Sequence, residues 1–332
     1  MSVPEPQVPA RKVFFREAIL RALTEEMERD PRVLILGQDV GPFGGPYKDT
    51  VGLYERYGAA RVRDCPVAEA AMIGVGVGAA AAGLRPVVCI TYMDFMMLGL
   101  DPLVNYGAKL RFKTGGQLTA PMVIKTTAGA KGQGVAHSQS LEAWLMNVPG
   151  LRVVAPATAA DAYGLLKTAI RHDGPVVYVD HKRLFQTAGL VPIAETLVPF
   201  GVLAVRRPGA DVTLVGHSYS VTILLAAAER LLAFGIDAEV LDLRSLAPLD
   251  TDGLVTSIAK TGAALFVEEG QVTCGIGAEL AFRVNERVPA ARLDRLGARP
   301  MTISSNAVLE SFALPSVERV IEATRQLLAR RT

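Results

Sequence analysis

The sequence predicts an α/β protein of two domains, each a mostly parallel sheet covered by helices. Short apolar runs rich in β-branched residues alternate with segments of helical periodicity, which is typical of parallel strands buried on both faces. The alternation lapses between about residues 184 and 209, a stretch with three prolines, and then resumes. A chain of 332 residues is long enough for each domain to bury its own core.

The first half begins with an amphipathic helix and continues as strands separated by helices. Residues 17–29 place Ile19, Leu20, Leu23 and Met27 on one face, as a half-buried helix requires. Apolar runs predict strands at 33–37, 87–90, 122–124, 152–154 and 176–179. Helices are expected at 68–83, 95–112 and 159–170.

The second half repeats this alternation. Strands are expected at 212–215, 238–243 and 264–267, and helices at 220–234, 252–260, 276–287 and 316–329. We therefore expect a first domain over residues 10–190, a linker over 191–205 and a second domain over 206–332.

Composition excludes several classes of protein. The 35 basic and 33 acidic residues nearly balance, so no strong field favours nucleic acid or an anionic membrane. Cys65, Cys89 and Cys274 form no CxxC pair, which argues against a disulfide scaffold and fits a reducing compartment. Residues 1–10 lack the apolar core of a signal peptide, and the apolar stretch 70–84 contains four glycines. We expect a cytoplasmic globular protein without nucleic-acid or membrane partners.

Glu69 is the first candidate site residue. It opens the small-residue helix at 68–83, where a glutamate is ordinarily explained by its favourable interaction with the helix dipole. However, about fifteen almost wholly apolar residues follow it, so the carboxyl group is expected to be removed from water. A buried carboxyl group favours its protonated form and can exchange a proton near neutrality. Glu69 is therefore either a helix-stabilising residue or an acid–base group.

His137 is the second candidate. It lies in a polar loop, residues 134–140, between a strand and a helix at the carboxyl side of the predicted sheet, where α/β proteins bind ligands. The four histidines lack the spacing of metal ligands, so we assign no metal site. Residues 216–220 resemble a GxSxG nucleophile elbow but end in serine, and are more simply a strand end with a helix cap.

A series of motifs runs in order from about Phe14 to Leu328. The matching stretches are 30–37 (DPRVLILG), 41–45 (GPFGG), 63–69 (RDCPVAE), 83–86 (GLRP), 137–140 (HSQS), 149–156 (PGLRVVAP), 161–166 (DAYGLL) and 242–249 (DLRSLAPL). Together they resemble the β subunit of the thiamine-diphosphate-dependent E1 component of 2-oxo acid dehydrogenase complexes, a transketolase-like family. The resemblance implies that residues 10–190 form a pyrimidine-binding domain and residues 206–332 a transketolase C-terminal-type domain.

The resemblance also implies roles for individual residues. Glu69 would be the acid that hydrogen-bonds the pyrimidine ring of thiamine diphosphate, and Phe95 would stack near that ring. His137 would transfer protons as the acyl group passes to the lipoyl group of the E2 partner, since an imidazole titrates near neutrality. Gln38 and Cys89 stand where the family usually has glutamates.

The implied enzyme is an oxidoreductase that acts on an oxo group with a lipoyl disulfide as acceptor. It would be active only with an α subunit, in an α2β2 heterotetramer whose Mg²⁺ lies on the α chain, and would take pyruvate or a branched-chain 2-oxo acid. An acetoin dehydrogenase β subunit is one alternative. Another is a non-catalytic paralogue that scaffolds an α subunit, motivated by Gln38 and Cys89. The abundance of alanine and arginine hints at a bacterial source.

Overall fold

The computed structural model describes residues 9–330, which alternate between strands and helices. The strands are β1 (Ala10–Phe14), β2 (Val33–Gly37), β3 (Val62–Asp64), β4 (Arg85–Ile90), β5 (Val123–Ala128), β6 (Arg152–Val154), β7 (Val176–His181), β8 (Ala188–Pro192), β9 (Ala204–Arg207), β10 (Val212–Gly216), β11 (Ala238–Asp242), β12 (Ser245–Ala247), β13 (Ala263–Gln271) and β14 (Arg292–Ala298). The helices are α1 (Phe15–Arg29), α2 (Leu53–Tyr57), α3 (Glu69–Ala81), α4 (Met93–Met96), α5 (Leu110–Lys113), α6 (Glu142–Met146), α7 (Ala159–Arg171), α8 (Tyr219–Leu231), α9 (Thr251–Thr261), α10 (Ile276–Arg287), α11 (Ala307–Ala313) and α12 (Val317–Ala329).

The strands form two large, mostly parallel sheets, which confirms the predicted fold class. The first sheet has the order β12-β6-β7-β5-β4-β2-β3, and only β12 runs antiparallel to its neighbour. The second has the order β14-β13-β10-β11-β9, with β9 antiparallel at its edge. A separate antiparallel pair joins β1 to β8.

The middle of the first sheet is buried on both faces. Every residue of β5 and β7 is buried, which is why these strands are read from continuous apolar and β-branched runs rather than from alternation. Helix α3 packs closely on β4 because it carries glycine at position 76. A Cβ atom there would lie 2.6 Å from Val88 Cγ2 and 2.8 Å from Met122 Cε. The small residues of α3 thus bring its first turn, with Glu69, close to the sheet.

The predicted helix over residues 95–112 is wrong in its continuity. The segment consists of α4, a 3₁₀ turn at Met97–Gly99, a π-helical turn at Asp101–Gly107 and then α5. Pro102 explains the break, because proline has no amide hydrogen to donate and its ring crowds the carbonyl four residues earlier. The result is a winding segment whose α4 and two following turns contact α3.

The second half of the chain contributes one strand to the first sheet. After β11, the chain turns back and β12 pairs with β6, with Ser245 opposite Val154 and Ala247 opposite Val153. The predicted second domain thus supplies an edge strand to the sheet of the first, and its last two residues, like residues 1–8, lie outside the described part. No helix within residues 9–330 has the length and apolar character needed to cross a bilayer.

Candidate functional site

Glu69 lies at the edge where the first sheet's parallel strands end. It is the first residue of α3, and its side chain is buried, with 4% of the residue exposed. Its carboxylate Oε1 accepts a hydrogen bond of 3.1 Å from Gln38 Nε2. Its second oxygen, Oε2, accepts no hydrogen bond from any other residue between positions 9 and 330, so this buried carboxyl group retains a free acceptor.

Gln38 holds that carboxyl group from the end of the adjacent strand. It directly follows β2, and Thr91 directly follows the neighbouring parallel strand β4. Thr91 Oγ1 donates a 3.4 Å hydrogen bond to the amide oxygen of Gln38, which leaves the amide nitrogen to face Glu69. In the sequence, Gln38 stands out only as a departure from the family pattern, and no local pattern predicts its contact with Glu69.

Phe95 and His137 lie together in an aromatic cluster with Tyr92. The His137 ring is edge-on to Tyr92, with centroids 4.5 Å apart, and edge-on to Phe95 at 5.2 Å. Tyr92 and Phe95 are 6.2 Å apart in the same type of arrangement. All three side chains are partly exposed, so the cluster presents ring edges and faces to the outside. Tyr92 was missed because a single tyrosine at a strand end carries no distinctive signal.

The winding segment connects the aromatic cluster to Glu69. Its 3₁₀ turn ends at Gly99, where an added Cβ would lie 3.3 Å from the backbone oxygen of Glu69 and would overlap Ile73. Thr91, which contacts Gln38, directly precedes Tyr92 in the chain. Glu69 and the cluster are therefore adjacent parts of one site, although within residues 9–330 no hydrogen bond joins Glu69 to His137.

The His137 loop is anchored at two points by buried polar residues. Lys182 Nζ donates to the backbone oxygen of Gly129 at 2.8 Å and to the backbone oxygen of His137. Burial lowers the pKa of Lys182 to about 8. The second anchor lies two residues after His137, where the backbone and side-chain nitrogens of Gln139 both donate to Asp94 Oδ1, at 3.2 and 3.0 Å. Neither anchor was predicted, because both join segments more than 40 positions apart in sequence.

A buried histidine–glutamate pair connects the two sheets beside this loop. His181, at the end of β7, places Nε2 2.8 Å from Oε2 of Glu269 on β13. The backbone N–H of Arg183 donates to His181 Nδ1, so Nε2 carries the proton and donates to the carboxylate. Gly129 makes room for this ring, since at a φ of +84° an added Cβ would overlap it. Burial opposes ionisation of Glu269, but the attraction of His181 holds its pKa below the usual value.

The second unusual position, Cys89, lies beside a buried ion cluster. It is opposite Lys125 of β5, whose Nζ is 2.6 Å from both Asp49 and Asp180. Burial raises the pKa of Cys89 to about 12, so the position holds a neutral thiol. In the described part of the chain, no group of three or more histidine, cysteine or acidic residues is arranged to hold a metal ion.

The arrangement fits the binding of a flat nitrogen heterocycle. A buried carboxyl group with one free oxygen can hydrogen-bond a ring nitrogen, and neighbouring aromatic residues supply apolar contact surface. An imidazole at the same opening can accept or donate a proton there. Glu69 can thus bind the heterocycle and exchange a proton with it, and His137 in the aromatic cluster can transfer a proton at the opening of the site.

Both halves of the chain match domains of a known family. Residues 11–187 match the model described as "Transketolase, pyrimidine binding domain", and residues 201–320 match "Transketolase, C-terminal domain". Among solved structures, a split-gene transketolase described as an inactive β4 tetramer is 26% identical, with a TM-score of 0.80 over 95% of this chain and 98% of that one. A transketolase from Leishmania mexicana, 17% identical with a TM-score of 0.71, shares the fold over 97% of this chain and 47% of its own.

Curated relatives match over nearly the whole length. The pyruvate dehydrogenase E1 component subunit β of Rhizobium meliloti (strain 1021) is 39% identical over 97% of this chain and 72% of its own. The 2-oxoisovalerate dehydrogenase subunit β of Bacillus subtilis (strain 168) is 39% identical over 94% of this chain and 97% of its own. A mitochondrial pyruvate dehydrogenase E1 component subunit β-1 of Arabidopsis thaliana is 40% identical over 96% and 90%. The chain therefore belongs to the transketolase-like family of E1 component β subunits of 2-oxo acid dehydrogenases.

Proposed function

We propose that this chain is the β subunit of an E1 enzyme that uses thiamine diphosphate to decarboxylate a 2-oxo acid oxidatively and to transfer the acyl group to a lipoylated E2. The observation that carries the proposal is the buried Glu69 carboxyl group, held by Gln38 through one oxygen and free at the other. The pyruvate dehydrogenase subunit of Rhizobium meliloti and the 2-oxoisovalerate dehydrogenase subunit of Bacillus subtilis are equally similar to this chain, each 39% identical. Pyruvate and branched-chain 2-oxo acids are therefore the substrate classes to test.

The residues present fit the pyrimidine end of the cofactor. Glu69 Oε2 would accept a hydrogen bond from, or donate a proton to, a ring nitrogen, and the Phe95 ring would contact the face of the heterocycle. Bound thiamine diphosphate supplies a carbon nucleophile and an electron sink for the carbanion left by decarboxylation. Gln38 supports Glu69 by fixing its first oxygen, so that only the second is available to the ring.

His137 is the group proposed for proton transfer during acyl transfer. Its ring packs against Tyr92 and Phe95 at the partly exposed opening, and its backbone is held by the buried Lys182. An imidazole can act as a general acid or base, and the anchored backbone keeps this one at the opening. His137 is partly exposed whereas Glu69 is buried, and an exposed position suits acyl transfer to a second protein.

The assembly is also part of the proposal. We infer an α2β2 heterotetramer, with Mg²⁺ and the diphosphate on the α chain, because the relatives that match over nearly the whole length are named as β subunits of E1 components. The proposed domains are residues 10–190 and 206–332, joined by a linker over 191–205; the family-model matches over 11–187 and 201–320 support two domains, with the second match beginning within the proposed linker. A bacterial and cytoplasmic enzyme is proposed as well; the relatives from Rhizobium and Bacillus support a bacterial source, whereas the relative from Arabidopsis is mitochondrial.

The function is tested by expressing the chain together with its α-type partner. Thiamine-diphosphate-dependent reduction of an artificial electron acceptor is measured with pyruvate, branched-chain 2-oxo acids, 2-oxoglutarate and acetoin. We expect turnover of pyruvate or a branched-chain 2-oxo acid by the mixture and none by either chain alone. Turnover of acetoin only would assign the other branch of the family, and failure to bind the cofactor would instead support a scaffold.

The role of His137 has a separate test in His137→Ala. We expect acyl transfer to a lipoyl domain to fall by two to four orders of magnitude more than decarboxylation with the artificial acceptor, since general acid–base catalysis contributes about 10²–10⁴-fold. The partly buried His172, which packs against Phe200 and precedes the exposed Asp173, supplies the control variant His172→Ala. Equal losses in the two assays for His137→Ala would show that its role is not specific to acyl transfer.

A further inference from the structure

A cavity lined by cations lies next to the aromatic cluster, since its lining residue Lys182 places Nζ 5.0 Å from the centre of the Tyr92 ring. Its volume is about 380 Å³, and it is bordered by Arg16, Lys48, Lys131 and Lys182. No acidic residue is among the described residues that line it. The volume lies in the range of small-molecule sites, which is about 300–1,000 Å³. The four cations come from separate segments of the chain, so the fold gathers them at one place.

These four side chains are not neutralised by salt bridges. In the described residues, none of them forms an ion pair with a carboxylate, whereas the other two buried lysines, Lys125 and Lys167, do. Arg16 lies over the Phe14 ring, and Lys48 Nζ donates to a backbone oxygen. Lys182 donates only to backbone oxygens, although just 1% of it is exposed. Carbonyl groups satisfy hydrogen bonds without cancelling the positive charge.

The carboxylates of Asp94, Glu269, Asp180 and Glu310, which do not line the cavity, attract Lys182, so the excess positive charge at the cavity comes mainly from Arg16, Lys48 and Lys131. Clustered ammonium and guanidinium groups repel one another unless an anion lies between them, and the repulsion grows as water is excluded. Lysine and arginine can donate hydrogen bonds but accept none, so the complementary ligand must carry acceptor oxygens and negative charge. Tyr47 and Phe185, stacked at 4.2 Å, form an apolar part of the wall.

We propose that this basic cavity binds a small anion that carries phosphate or carboxylate groups. The site is formed by Arg16, Lys48, Lys131 and Lys182, and it shares Lys182 with the anchor of the His137 loop. The inference does not depend on the proposed enzyme activity, because it rests only on the cavity and its charges. An anion bound there would sit next to the residue that fixes the His137 backbone.

The test is calorimetric titration of the full chain at constant ionic strength. Inorganic pyrophosphate probes for phosphate groups, citrate probes for carboxylate groups, and chloride serves as the background anion. The double variant Lys48→Gln/Lys131→Gln removes two exposed cations from the cavity without disturbing the core. The matched control, Lys109→Gln/Lys113→Gln, removes two exposed lysines that do not line it.

We expect saturable binding of at least one probe with one site per chain. The double variant should weaken it at least tenfold, since a hydrogen bond to a charged group contributes enough for about a tenfold change in Kd. The control should stay within twofold of the unmodified chain. Binding of pyrophosphate alone, citrate alone or both would identify the class of anion. The absence of saturable binding of both probes, or an equal loss in the control, would overturn the proposal.

Discussion

Replacing Glu69 by glutamine separates the chemical role of this residue from its structural role. Glu69→Gln keeps the size of the side chain and an oxygen that can accept the 3.1 Å hydrogen bond from Gln38. We therefore expect the free energy of unfolding to change by no more than about 1 kcal/mol, the usual net value of one hydrogen bond. The substitution replaces the carboxyl group, which can exchange a proton, by an amide that cannot act as an acid or base. We expect the rate of the step that depends on this proton exchange to fall by about 10²–10⁴-fold, equivalent to roughly 3–5 kcal/mol of barrier.

The assay is exchange of the C2 proton of thiamine diphosphate for deuterium, followed by NMR in the complex with the α subunit. Exchange reports the proton transfer itself and is independent of the substrate and of E2. Glu55→Gln, an exposed glutamate on α2, is the control and should exchange at the unmodified rate. Thermal unfolding of each variant shows whether it is folded. A folded Glu69→Gln complex that binds the cofactor and exchanges at the unmodified rate would refute the assignment.

Three further substitutions test the surroundings of the site. Gln38→Glu should place a second carboxyl group beside the buried Glu69, and two neighbouring like charges repel each other. In urea unfolding at pH 7 the Gln38→Glu variant should therefore be less stable than Gln38→Met, and equal urea midpoints would contradict this. Burial lowers the pKa of His217 to about 4. Between pH 6.5 and pH 4 the unfolded chain therefore binds a proton at this residue that the folded chain does not, and the free energy of unfolding should decrease by about 3 kcal/mol as the pH falls through this range. His217→Gln should remove that part of the acid sensitivity, and an unchanged difference between the urea midpoints at pH 7 and pH 4.5 would contradict this. Gly129→Ala should lower the free energy of unfolding by about 2 kcal/mol more than Gly132→Ala does. Both glycines have a positive φ, but only the methyl group added at position 129 would overlap a neighbouring ring, that of His181. Equal urea midpoints for the two variants would exclude the clash.

The strands were predictable where burial is continuous. Residues 33–37 and 176–179 are apolar on both faces of a parallel sheet, and this leaves an unambiguous run in the sequence. The helix expected over 95–112 failed because an apolar pattern does not report the missing hydrogen bond at Pro102. β12 was missed because three residues at an antiparallel edge, followed by a proline, carry no periodicity.

The site was predictable only in part. Local signals pointed to Glu69 and His137, since one opens an apolar helix and the other lies in a polar loop after a strand. The contact between Gln38 and Glu69 joins positions 31 apart in sequence, and Lys182 reaches the His137 loop across 45. Such contacts follow from the order of parallel strands in the sheet, which no local pattern encodes. The same is true of the basic cavity, whose cations come from distant segments.

The edge strand β12 has a consequence for how the protein can be divided. A fragment that ends near residue 190 would lack Ser245–Ala247, and the backbone groups of β6 that pair with them would be exposed. An uncovered sheet edge is a template for pairing with another chain, so such a fragment should self-associate rather than remain monomeric. The reciprocal fragment would carry a strand with no sheet to join. These three residues therefore constrain recombination or gene splitting between the two domains. A domain exchange that preserves the fold must transfer β12 together with the first sheet, in which it pairs with β6.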